Sequence, residues 1–479
     1  MSDPATAPPD VPELRRLFER QREAFLQDMA PSRETRVDRL DRLAGMLERR
    51  AARFAEVISE DFGHRSVFES QVADIGSVLS MIRHTRNHLG RWMKPKRVPT
   101  APAYWPASSR IVRQPLGVVG IISPWNYPLY LSAGPLVAVL AAGNRAMVKP
   151  SELTPRFGEF LKKAFSEIFS EEEVAVVMGG PDVAQALTRL PLDHLVFTGS
   201  TAVGRLVARA AAENLTPVTL ELGGKSPAIV DPSADFDAAV PRITWGKLFN
   251  AGQTCIAPDY ALVPAARLDE FVEAVKRTAS RFYPTLDGNP SYTSIVNDRH
   301  YARLTGLVED ARAKGARVVE VTPDGVRPDP ATRRLPPTLV MGADDGMRIM
   351  QEEIFGPLLP IVPYGSVEEA VRFVNERDRP LALYWFGTDF ASRDRVLART
   401  ISGGVTVNDC MLHVIQENLP FGGVGPSGMG AYHGEHGFRR FSHEKAVFHV
   451  RGRFGGSFLF HPPLGRVAEL ARKLLARLG

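Results

Sequence analysis

The polar and apolar residues of the first ninety positions alternate with the period of a helix. Apolar positions such as Leu14 recur every three or four residues, with Arg and Glu between them. This pattern predicts helices over 13–29, 32–60 and 66–92, and Pro95 follows the last of them as a helix-breaking residue. We expect these helices to pack around the first domain of the protein.

The pattern changes near residue 117, where short runs of β-branched and other apolar residues lie between Gly and Pro. Each run is followed by a polar turn and then by an amphipathic stretch, which is typical of buried parallel strands that alternate with helices. The chain is therefore predicted to have an α/β fold. The first group of predicted strands begins at residues 117, 146, 174, 194 and 216.

A second domain is predicted past Pro227, where the pattern of apolar and polar residues changes. Here 238–249 and 268–281 have the pattern of helices, and 332–342 is predicted to be extended. Before the first strand, residues 93–115 lack a helical pattern and instead predict an extended hairpin arm. The chain is therefore expected to contain two α/β domains and one arm.

The composition narrows the class of protein without identifying it. A chain of 479 residues with 44% hydrophobic and 24% charged residues is typical of a soluble protein of two or three domains. No apolar run reaches the roughly 18 residues of a membrane span, and the first 13 residues lack the pattern of a secretory signal. Two cysteines suit a reducing cytoplasm, and the net charge of +5 forms no basic stripe, so no nucleic-acid partner is expected.

Two side chains beside Gly-containing turns are candidates for chemistry. Cys255 lies in the polar sequence GQTC, where a thiol is accessible, and Glu221 comes just before the Gly223-Gly224 pair. A carboxylate that can deprotonate a thiol or a water is the natural partner of such a nucleophile. The alternative is a buried cysteine that packs as a small apolar side chain, and we expect that role for Cys410.

Other polar residues follow the predicted strands, at the sheet edge where open α/β folds bind ligands. Asn126, in the sequence PWNYP, could donate to developing negative charge or cap the next helix. Lys149 and Glu152 could bind the ribose of a dinucleotide or form an exposed ion pair. A turn and helix start that suits a pyrophosphate lies at Gly199, Ser200 and Gly204.

Six motifs in order make the sequence resemble the aldehyde dehydrogenase superfamily. The match runs from about residue 12 to about residue 450. The tail YHGEHGFRRFSHEKAV is most similar to the class 3 branch, and within it to the bacterial coniferyl-aldehyde-dehydrogenase type. The motifs are LELGGKSP with the later GQTC, PWNYP at 124–128, KPSE at 149–152, FTGSTAVG at 197–204, EEIFGP at 352–357 and PFGGVGPSGMG at 420–430.

The resemblance implies an aldehyde dehydrogenase fold with a Rossmann-like cofactor domain, an α/β catalytic domain and a bridging β-arm. In such a fold the arm helps to pair subunits, so a homodimer is expected. The expected divisions are 1–92 and 116–222 for the NAD(P)-binding domain, 223–430 for the catalytic domain, 93–115 and 444–452 for the arm, and 462–479 for a C-terminal amphipathic helix.

The resemblance also implies the reaction, which is oxidation of an aldehyde to a carboxylic acid with NAD or NADP. Cys255 as a thiolate would attack the carbonyl, while the Asn126 side chain and the Cys255 N–H hold the oxygen of the thiohemiacetal. Hydride transfer to the cofactor would leave a thioester, and Glu221 would activate the water that releases the acid. No cluster of His, Cys and carboxylates has metal-ligand spacing, so no metal is expected.

Further contacts are implied by position in the same motifs. Glu353 would contact the nicotinamide ribose, and Phe355 would back the nicotinamide ring. Trp125 and Leu222 would also line the cofactor site. The residues expected to line an apolar or aromatic substrate pocket are Tyr127, Tyr130, Thr254 and Ile256.

Several functions stay open on the sequence alone. The favoured substrate is an apolar or aromatic aldehyde of the coniferyl type, and a medium- or long-chain aliphatic aldehyde is the alternative. A CoA-acylating enzyme would not need Glu221, and a non-catalytic scaffold would be expected to lose Cys255 or Asn126, so both are disfavoured. NAD and NADP are both open, because Glu152 would repel a 2′-phosphate and Lys149 would attract one.

The segment 462–479 predicts a basic amphipathic helix that begins with a pair of prolines. Such a helix could lie weakly on the inner face of an anionic membrane. It could instead dock on its own enzyme, over the substrate mouth or the partner subunit, and this second arrangement is favoured. The predicted apolar face is Leu464, Val467, Leu470, Ala471, Leu474, Leu475 and Leu478, and the basic residues are Arg466, Arg472, Lys473 and Arg477.

Overall fold

The structure of the chain, a computed structural model, describes residues 12–450, 462 and 465–476. Helices and strands alternate along most of these residues. The helices are α1 (Pro12–Gln27), α2 (Arg33–Phe62), α3 (Val67–Glu69), α4 (Ser77–Trp92), α5 (Pro128–Ala142), α6 (Pro155–Ser166), α7 (Pro181–Thr188), α8 (Thr201–Ala212), α9 (Phe236–Leu248), α10 (Leu268–Phe282), α11 (Asp298–Ala313), α12 (Arg348–Gln351), α13 (Val367–Asn375), α14 (Phe390–Arg399), α15 (Gly434–Arg440) and α16 (Arg466–Leu475). The strands are β1 (Lys96–Val98), β2 (Ser108–Pro115), β3 (Val118–Ile122), β4 (Arg145–Lys149), β5 (Val174–Val176), β6 (His194–Thr198), β7 (Val218–Glu221), β8 (Pro227–Val230), β9 (Tyr260–Pro264), β10 (Arg317–Glu320), β11 (Thr338–Met341), β12 (Leu358–Tyr364), β13 (Ala382–Phe386), β14 (Gly404–Val407), β15 (Gly428–Met429) and β16 (Ser442–His449).

The first sheet has six strands in the order β15-β7-β6-β3-β4-β5. Strands β3 to β7 run parallel to one another, whereas β15 is antiparallel to β7. Strands β3, β4 and β6 are buried along their whole length, which explains their nearly continuous apolar sequences. The five strands predicted between residues 117 and 222 are therefore confirmed.

The second sheet has seven strands in the order β10-β11-β12-β9-β8-β13-β14. Its neighbours pair in parallel, except that β10 is antiparallel to β11. The run 332–342, predicted to be extended, forms a strand only over Thr338–Met341. Pro336 and Pro337 account for the difference, because proline cannot donate to a strand ladder.

The first sheet includes a strand from beyond residue 222. Gly428 pairs with Glu221 and Met429 pairs with Leu220, so β15 belongs to the first sheet. The range 223–430, assigned to the catalytic domain, therefore ends with a strand of the other sheet. The Gly-rich sequence gives little indication of a strand, because glycine has a low strand propensity and only its missing side chain lets the backbones approach.

The residues between α4 and β3, which are expected to form an arm, contain the strands β1 and β2. β2 lies at the centre of a three-stranded antiparallel sheet, with β1 on one side and β16 on the other. β16 covers Ser442–His449, so the second part of the arm begins two residues before the predicted start of 444–452. Residues 451 and 452 lie outside the described part of the chain.

A helical layer beside the first sheet supports the start of α5. Helices α2 and α4 pack against α5, which is apolar on all sides and has no exposed residue. A π-helical turn, Ser70–Gly76, joins α3 to α4. Within this turn the buried Asp74 accepts the N–H groups of Leu129 and Tyr130, each at 3.1 Å. These bonds satisfy free N–H groups at the start of the helix, two residues after Asn126.

The C-terminal segment 462–479 contains the helix α16, as the periodicity predicts. Leu470, on the predicted apolar face, is 62% exposed, whereas its neighbour Ala471 is buried. Leu464 and Leu478 of the same predicted face lie outside the described residues. Among the helices that the structure describes, none combines the length and the hydropathy needed to cross a bilayer.

Candidate active site

Cys255 follows a loop with an unusual backbone conformation. Asn250, Ala251 and Gly252 all have positive φ, at 53°, 50° and 74°. A Cβ at position 252 would lie 2.3 Å from a backbone carbonyl oxygen, so glycine is required there. The loop turns the chain from α9 into the segment that carries the thiol, and the N–H groups of Cys255 and Ile256 face the sulfur.

Two cavities meet at Cys255. The first, of about 200 Å³, lies at the carboxyl ends of strands of the first sheet and is called the strand-end cavity. The second, of about 220 Å³, has an almost entirely apolar wall and is called the apolar cavity. Cys255, Glu221 and Leu131 line both cavities. The thiol can therefore be reached from two sides.

Glu221 is the last residue of β7 and is fully buried. Neither of its carboxylate oxygens has a hydrogen-bond partner among the described residues. Burial and, to a smaller extent, the negative charge of Glu353 raise the pKa of Glu221 to about 8. A carboxylate with such a pKa can take up a proton near neutral pH, which an ordinary glutamate does poorly.

Glu353 faces the strand-end cavity from the loop that precedes β12. A Cβ at Gly223 would lie 2.1 Å from Glu353 Oε2, so the missing side chain at this position is what lets the carboxylate approach. Burial raises the pKa of Glu353 to about 8, Asp259 raises it too, and the N–H of Gly224 opposes the change. The protonated form is therefore favoured in both Glu221 and Glu353 relative to an exposed glutamate.

The thiol of Cys255 is partly exposed at the junction of the cavities. Burial nevertheless raises its pKa well above the usual range, and the charges of Glu221 and Glu353 raise it further. The N–H groups of Cys255 and Ile256 oppose this rise, because they stabilise negative charge on sulfur. The thiol is thus protonated at neutral pH and needs a base before it can act as a nucleophile.

Asn126 is buried and lines the strand-end cavity beside the thiol. Its Nδ2 donates to the carbonyl oxygen of Gln253 at 3.2 Å, so one amide hydrogen is used and the second remains available. The alternative role as a helix cap does not fit, because α5 begins without a side-chain cap from this residue and uses Asp74 instead. The structure therefore places an amide donor next to the two N–H groups at Cys255.

Most residues predicted to bind a cofactor come together in the strand-end cavity. The rings of Trp125 and Phe355 meet edge to face, with centroids 5.4 Å apart. A Cβ at Gly223 would fill part of the strand-end cavity. At another point of the wall, Ser200 caps α8 by accepting the N–H of Val203 at 3.4 Å. This arrangement of flat rings, a carboxylate and a helix start fits a nicotinamide dinucleotide. The predicted cofactor residues on its wall are Trp125, Gly199, Ser200, Leu222, Glu353 and Phe355.

Three other predicted cofactor residues lie outside this cavity. Lys149 ends β4, and its Nζ donates to Pro150 O at 3.1 Å and to Glu152 Oε2 at 3.4 Å. The predicted ion pair is therefore present. Gly204 lies in the first turn of α8, where a Cβ would come 2.7 Å from the Leu222 side chain. Its role in the structure is close packing of the helix against β7.

The four residues predicted to line a substrate pocket all line the apolar cavity. They are Tyr127, Tyr130, Thr254 and Ile256. The Tyr127 hydroxyl lies 2.7 Å from Thr254 Oγ1, and the Tyr130 hydroxyl lies 3.0 Å from His433 Nε2. Because these hydroxyls have partners, they present mainly their rings to the cavity.

Sequence reasoning missed much of the apolar cavity and part of the other. Trp245 and Phe249, with ring centroids 5.4 Å apart, come from the end of α9. Nothing in a helical pattern says which residues of a helix will face a cavity rather than a core. In the strand-end cavity, His300 and Arg303 come from α11, which lies far along the chain. The other missed residues of the apolar cavity are Val72, Ala73, Ser77, Met411, Leu412, Val414, Ile415 and Phe421.

Comparison with known proteins identifies the class. The model of the aldehyde dehydrogenase family matches residues 10–447. A probable coniferyl aldehyde dehydrogenase from Caulobacter vibrioides is 52% identical over 465 residues, which cover 96% of this chain and 95% of that protein. The chain therefore belongs to the aldehyde dehydrogenase family, and it is an NAD(P)-dependent aldehyde dehydrogenase.

Solved structures agree with this assignment. A substrate-bound AldH of Staphylococcus aureus matches with a TM-score of 0.91 and 38% identity, over 98% of this chain and 100% of that one. Betaine aldehyde dehydrogenase of Staphylococcus aureus in complex with NAD+ matches with a TM-score of 0.82 and 27% identity, over 92% and 88%. The predicted aldehyde dehydrogenase fold is confirmed.

Proposed function

We propose that this enzyme oxidises apolar or aromatic aldehydes of the coniferyl type to carboxylic acids. The observation that carries the proposal is the apolar cavity that ends at Cys255, whose wall includes Trp245, Phe249 and Tyr130. An aromatic ring gains favourable contacts with such a wall and loses no hydrogen bond. The similarity to the probable coniferyl aldehyde dehydrogenase supports the same substrate class.

The first chemical step in this proposal is attack by the thiol. Glu221 takes the proton of Cys255 as the sulfur bonds to the aldehyde carbon, and the carbonyl oxygen takes the negative charge. Asn126 Nδ2 and the Cys255 N–H donate to that oxygen, which lowers the barrier by roughly 3–4 kcal/mol per donor. The product of this step is a thiohemiacetal on Cys255.

NAD(P)+, when bound in the strand-end cavity, supplies the acceptor for the hydride of the aldehyde. Trp125, Glu353 and Phe355 would hold its nicotinamide end, and Ser200 would lie at its pyrophosphate. After oxidation Cys255 carries a thioester. Glu221, once free of its first proton, removes a proton from water, the hydroxide adds to the thioester carbon, and the C–S bond breaks to release the acid.

A steady-state comparison of substrates tests this proposal. We expect the highest kcat/KM with cinnamyl-type and benzyl-type aldehydes, and no dependence of the rate on added CoA. A maximum with decanal would favour the alternative, a medium- or long-chain aliphatic substrate. Formation of an acyl-CoA would show that the acyl group is transferred to CoA and not to water. The buried and unpartnered Glu221 supports water as the acceptor. Running each aldehyde with NAD and NADP would also determine the preferred cofactor.

We also propose that the enzyme is a cytoplasmic homodimer paired through its arm. Tyr104, Trp105 and Phe448 of the arm are 54%, 72% and 53% exposed, and apolar surface of this kind supports burial against a partner. Sedimentation of the wild type and of Phe448→Ser tests the assembly. A wild type that sediments as a monomer at micromolar concentration would contradict it. Within each subunit, the first sheet and its helical layer form the domain that binds the cofactor.

A further inference from the structure

Six buried polar side chains connect the helical layer to the loop before Cys255. None of them lines either cavity, so none can touch the substrate or the cofactor there. We call this set the anchoring network, and its exposed fractions do not exceed 5%. Its members are Arg65, Glu69, Asp74, Asn250, Gln253 and Thr293.

Glu69 binds the first residue of the left-handed loop. Its Oε2 accepts the N–H of Asn250 at 3.1 Å and the hydroxyl of Thr293 at 3.1 Å. A buried carboxylate is costly unless it is hydrogen-bonded, so its presence at this point calls for an explanation. The bond to Asn250 fixes the direction in which the chain enters the loop.

Asn250 then joins the two segments that carry the proposed oxyanion donors. Its Nδ2 donates to the carbonyl oxygen of Asn126 at 3.1 Å and to that of Gln253 at 3.2 Å. Asn126 donates from its own side chain to the same Gln253 oxygen. One amide group therefore sets the separation between the Asn126 segment and the peptide two residues before Cys255.

Arg65 fixes the Asn126 peptide from another direction. Its Nη1 donates to the Asn126 carbonyl oxygen at 3.0 Å, and its Nη2 forms an ion pair with Asp74 at 3.0 Å. Both partners of this ion pair are fully buried. Since Asp74 also binds the start of α5, the segment between β3 and α5 cannot shift without breaking these contacts.

The loop needs such support because its conformation is unfavourable by itself. Left-handed backbone is unfavourable for a residue with a side chain, and both Asn250 and Ala251 adopt it. Asparagine tolerates this conformation best among residues with a side chain. The hydrogen bonds of Glu69 and Asn250 offset the cost and select one loop geometry.

We propose that Glu69 and Asn250 are positioning residues for the oxyanion site. They hold the Asn126 amide and the Cys255 N–H at a separation from which both reach one oxygen atom. The proposal rests on the proposed role of Asn126. Its consequence is that the geometry of the reaction depends on a glutamate that contacts no reactant.

The decisive experiment is a double-mutant cycle with Asn250→Gly and Asn126→Ala. Glycine keeps the left-handed backbone of position 250 but removes the amide that joins the two segments. We expect Asn250→Gly to lower kcat by about tenfold or more, with an unchanged KM for NAD. In the Asn126→Ala background the same change should cost less than about twofold, because the donor that it positions is already gone.

The cycle separates failure of this inference from failure of the proposed function. A wild-type kcat in the single variant Asn126→Ala would show that Asn126 does not stabilise the oxyanion. Losses that multiply in the double variant would instead overturn the positioning role of Asn250 while leaving Asn126 intact. Wild-type kcat in Asn250→Gly would also overturn it.

The role of Glu69 is tested by Glu69→Gln and Glu69→Ala. Glutamine keeps an acceptor oxygen for Asn250 and Thr293 and should retain most of the activity, whereas alanine should lose it. The rate at which iodoacetamide alkylates Cys255 gives a readout that needs no cofactor. We expect this rate to change by about threefold or more in Glu69→Ala, because the N–H groups that face the sulfur move.

Asp61→Asn is the matched control for Glu69. Asp61 lies at the end of α2 and accepts the N–H groups of Arg156 and Phe157 at 3.1 and 2.9 Å, so its loss should lower the Tm without altering the thiol. If Glu69→Ala and Asp61→Asn have the same kcat and the same alkylation rate, Glu69 has only a structural role and the proposal is wrong. If Glu69→Ala fails to fold, the Asn250→Gly cycle decides the proposal.

Discussion

The two cavities that meet at Cys255 are built in different ways. The strand-end cavity takes most of its wall from turns that follow β3, β6 and β7, where the path of the main chain sets the shape. The apolar cavity takes its wall from side chains of the π-helical turn, the end of α9 and the segment 411–421. Backbone geometry therefore defines the strand-end cavity, and side-chain volume defines the apolar cavity.

This difference predicts that the two cavities respond differently to substitution. In the strand-end cavity a substitution such as Gly223→Ala would drive a Cβ into the Glu353 carboxylate, which would have to move. In the apolar cavity, exchange of one apolar side chain for another alters the shape of the wall but not the backbone. We therefore expect substitutions in the apolar cavity to change its shape while the strand-end cavity stays the same.

The largest effect is expected at the residue that both cavities share. Cys255→Ala should abolish aldehyde oxidation, because no other thiol reaches either cavity in the described residues. NAD binding, measured by calorimetry, should survive, since the strand-end cavity keeps its wall. Cys410→Ala, at the other and fully buried cysteine, is the control and should retain activity. Turnover by Cys255→Ala would break the assignment of the nucleophile.

Glu221→Gln should produce the next largest loss. We expect a slower burst of NADH followed by very slow turnover, because the thiol loses its base in the first step and water is no longer activated in the last. In the wild type the base form of Glu221 increases as the pH rises through its pKa of about 8, so kcat should rise over that range and then level off. Glu221→Gln should lose this dependence. A pH profile that is unchanged in the variant would contradict the role of the base.

Asn126→Ala is expected to lower kcat by roughly a hundredfold, since one of two oxyanion donors is removed. Cofactor affinity should hardly change, although the residue lines the strand-end cavity. Stopped-flow measurement of the first turnover distinguishes the two roles. A loss that appears only as a higher KM for NAD would make Asn126 a cofactor contact.

Trp245→Ala probes the apolar cavity alone. Removal of this ring should raise the KM for aromatic aldehydes by about tenfold, because one aromatic contact is worth about 1 kcal/mol beyond the buried area. The KM for NAD and the rate with acetaldehyde should stay close to those of the wild type. An equal loss for acetaldehyde and for aromatic aldehydes would mean that the two cavities are not independent.

Glu353→Gln should raise the KM for NAD, because Glu353 would hold the nicotinamide end of the cofactor. Its effect on the pH profile is the smallest effect that we expect. The Glu353 charge raises the pKa of Glu221, so the neutral amide should lower that pKa and move the rise of kcat to lower pH. Because burial is the larger cause of the raised pKa, the shift should be modest. A shift to higher pH would contradict the proposed coupling between the two carboxylates.

The same contrast explains how far the sequence could be interpreted. Glu221 and Asn126 lie beside strand ends that have clear patterns, so their place near Cys255 could be predicted. The missed residues of the apolar cavity have no local pattern, because Trp245 and Met411 are brought together only by the fold. β15 could not be predicted either, since its sequence has no strand propensity and its partner lies two hundred positions away. The roles of Lys149, Glu152 and Gly204 stay predictions.

The π-helical turn at Ser70–Gly76 makes the length of its segment more important than its composition. An α-helix advances by 100° per residue, so a one-residue deletion that restored regular winding would rotate α4 by roughly that angle relative to α3. Asp74 would then turn away from the start of α5, and Val72 would leave the wall of the apolar cavity. The outer face of the turn tolerates substitution, but the segment should tolerate neither insertion nor deletion of a single residue.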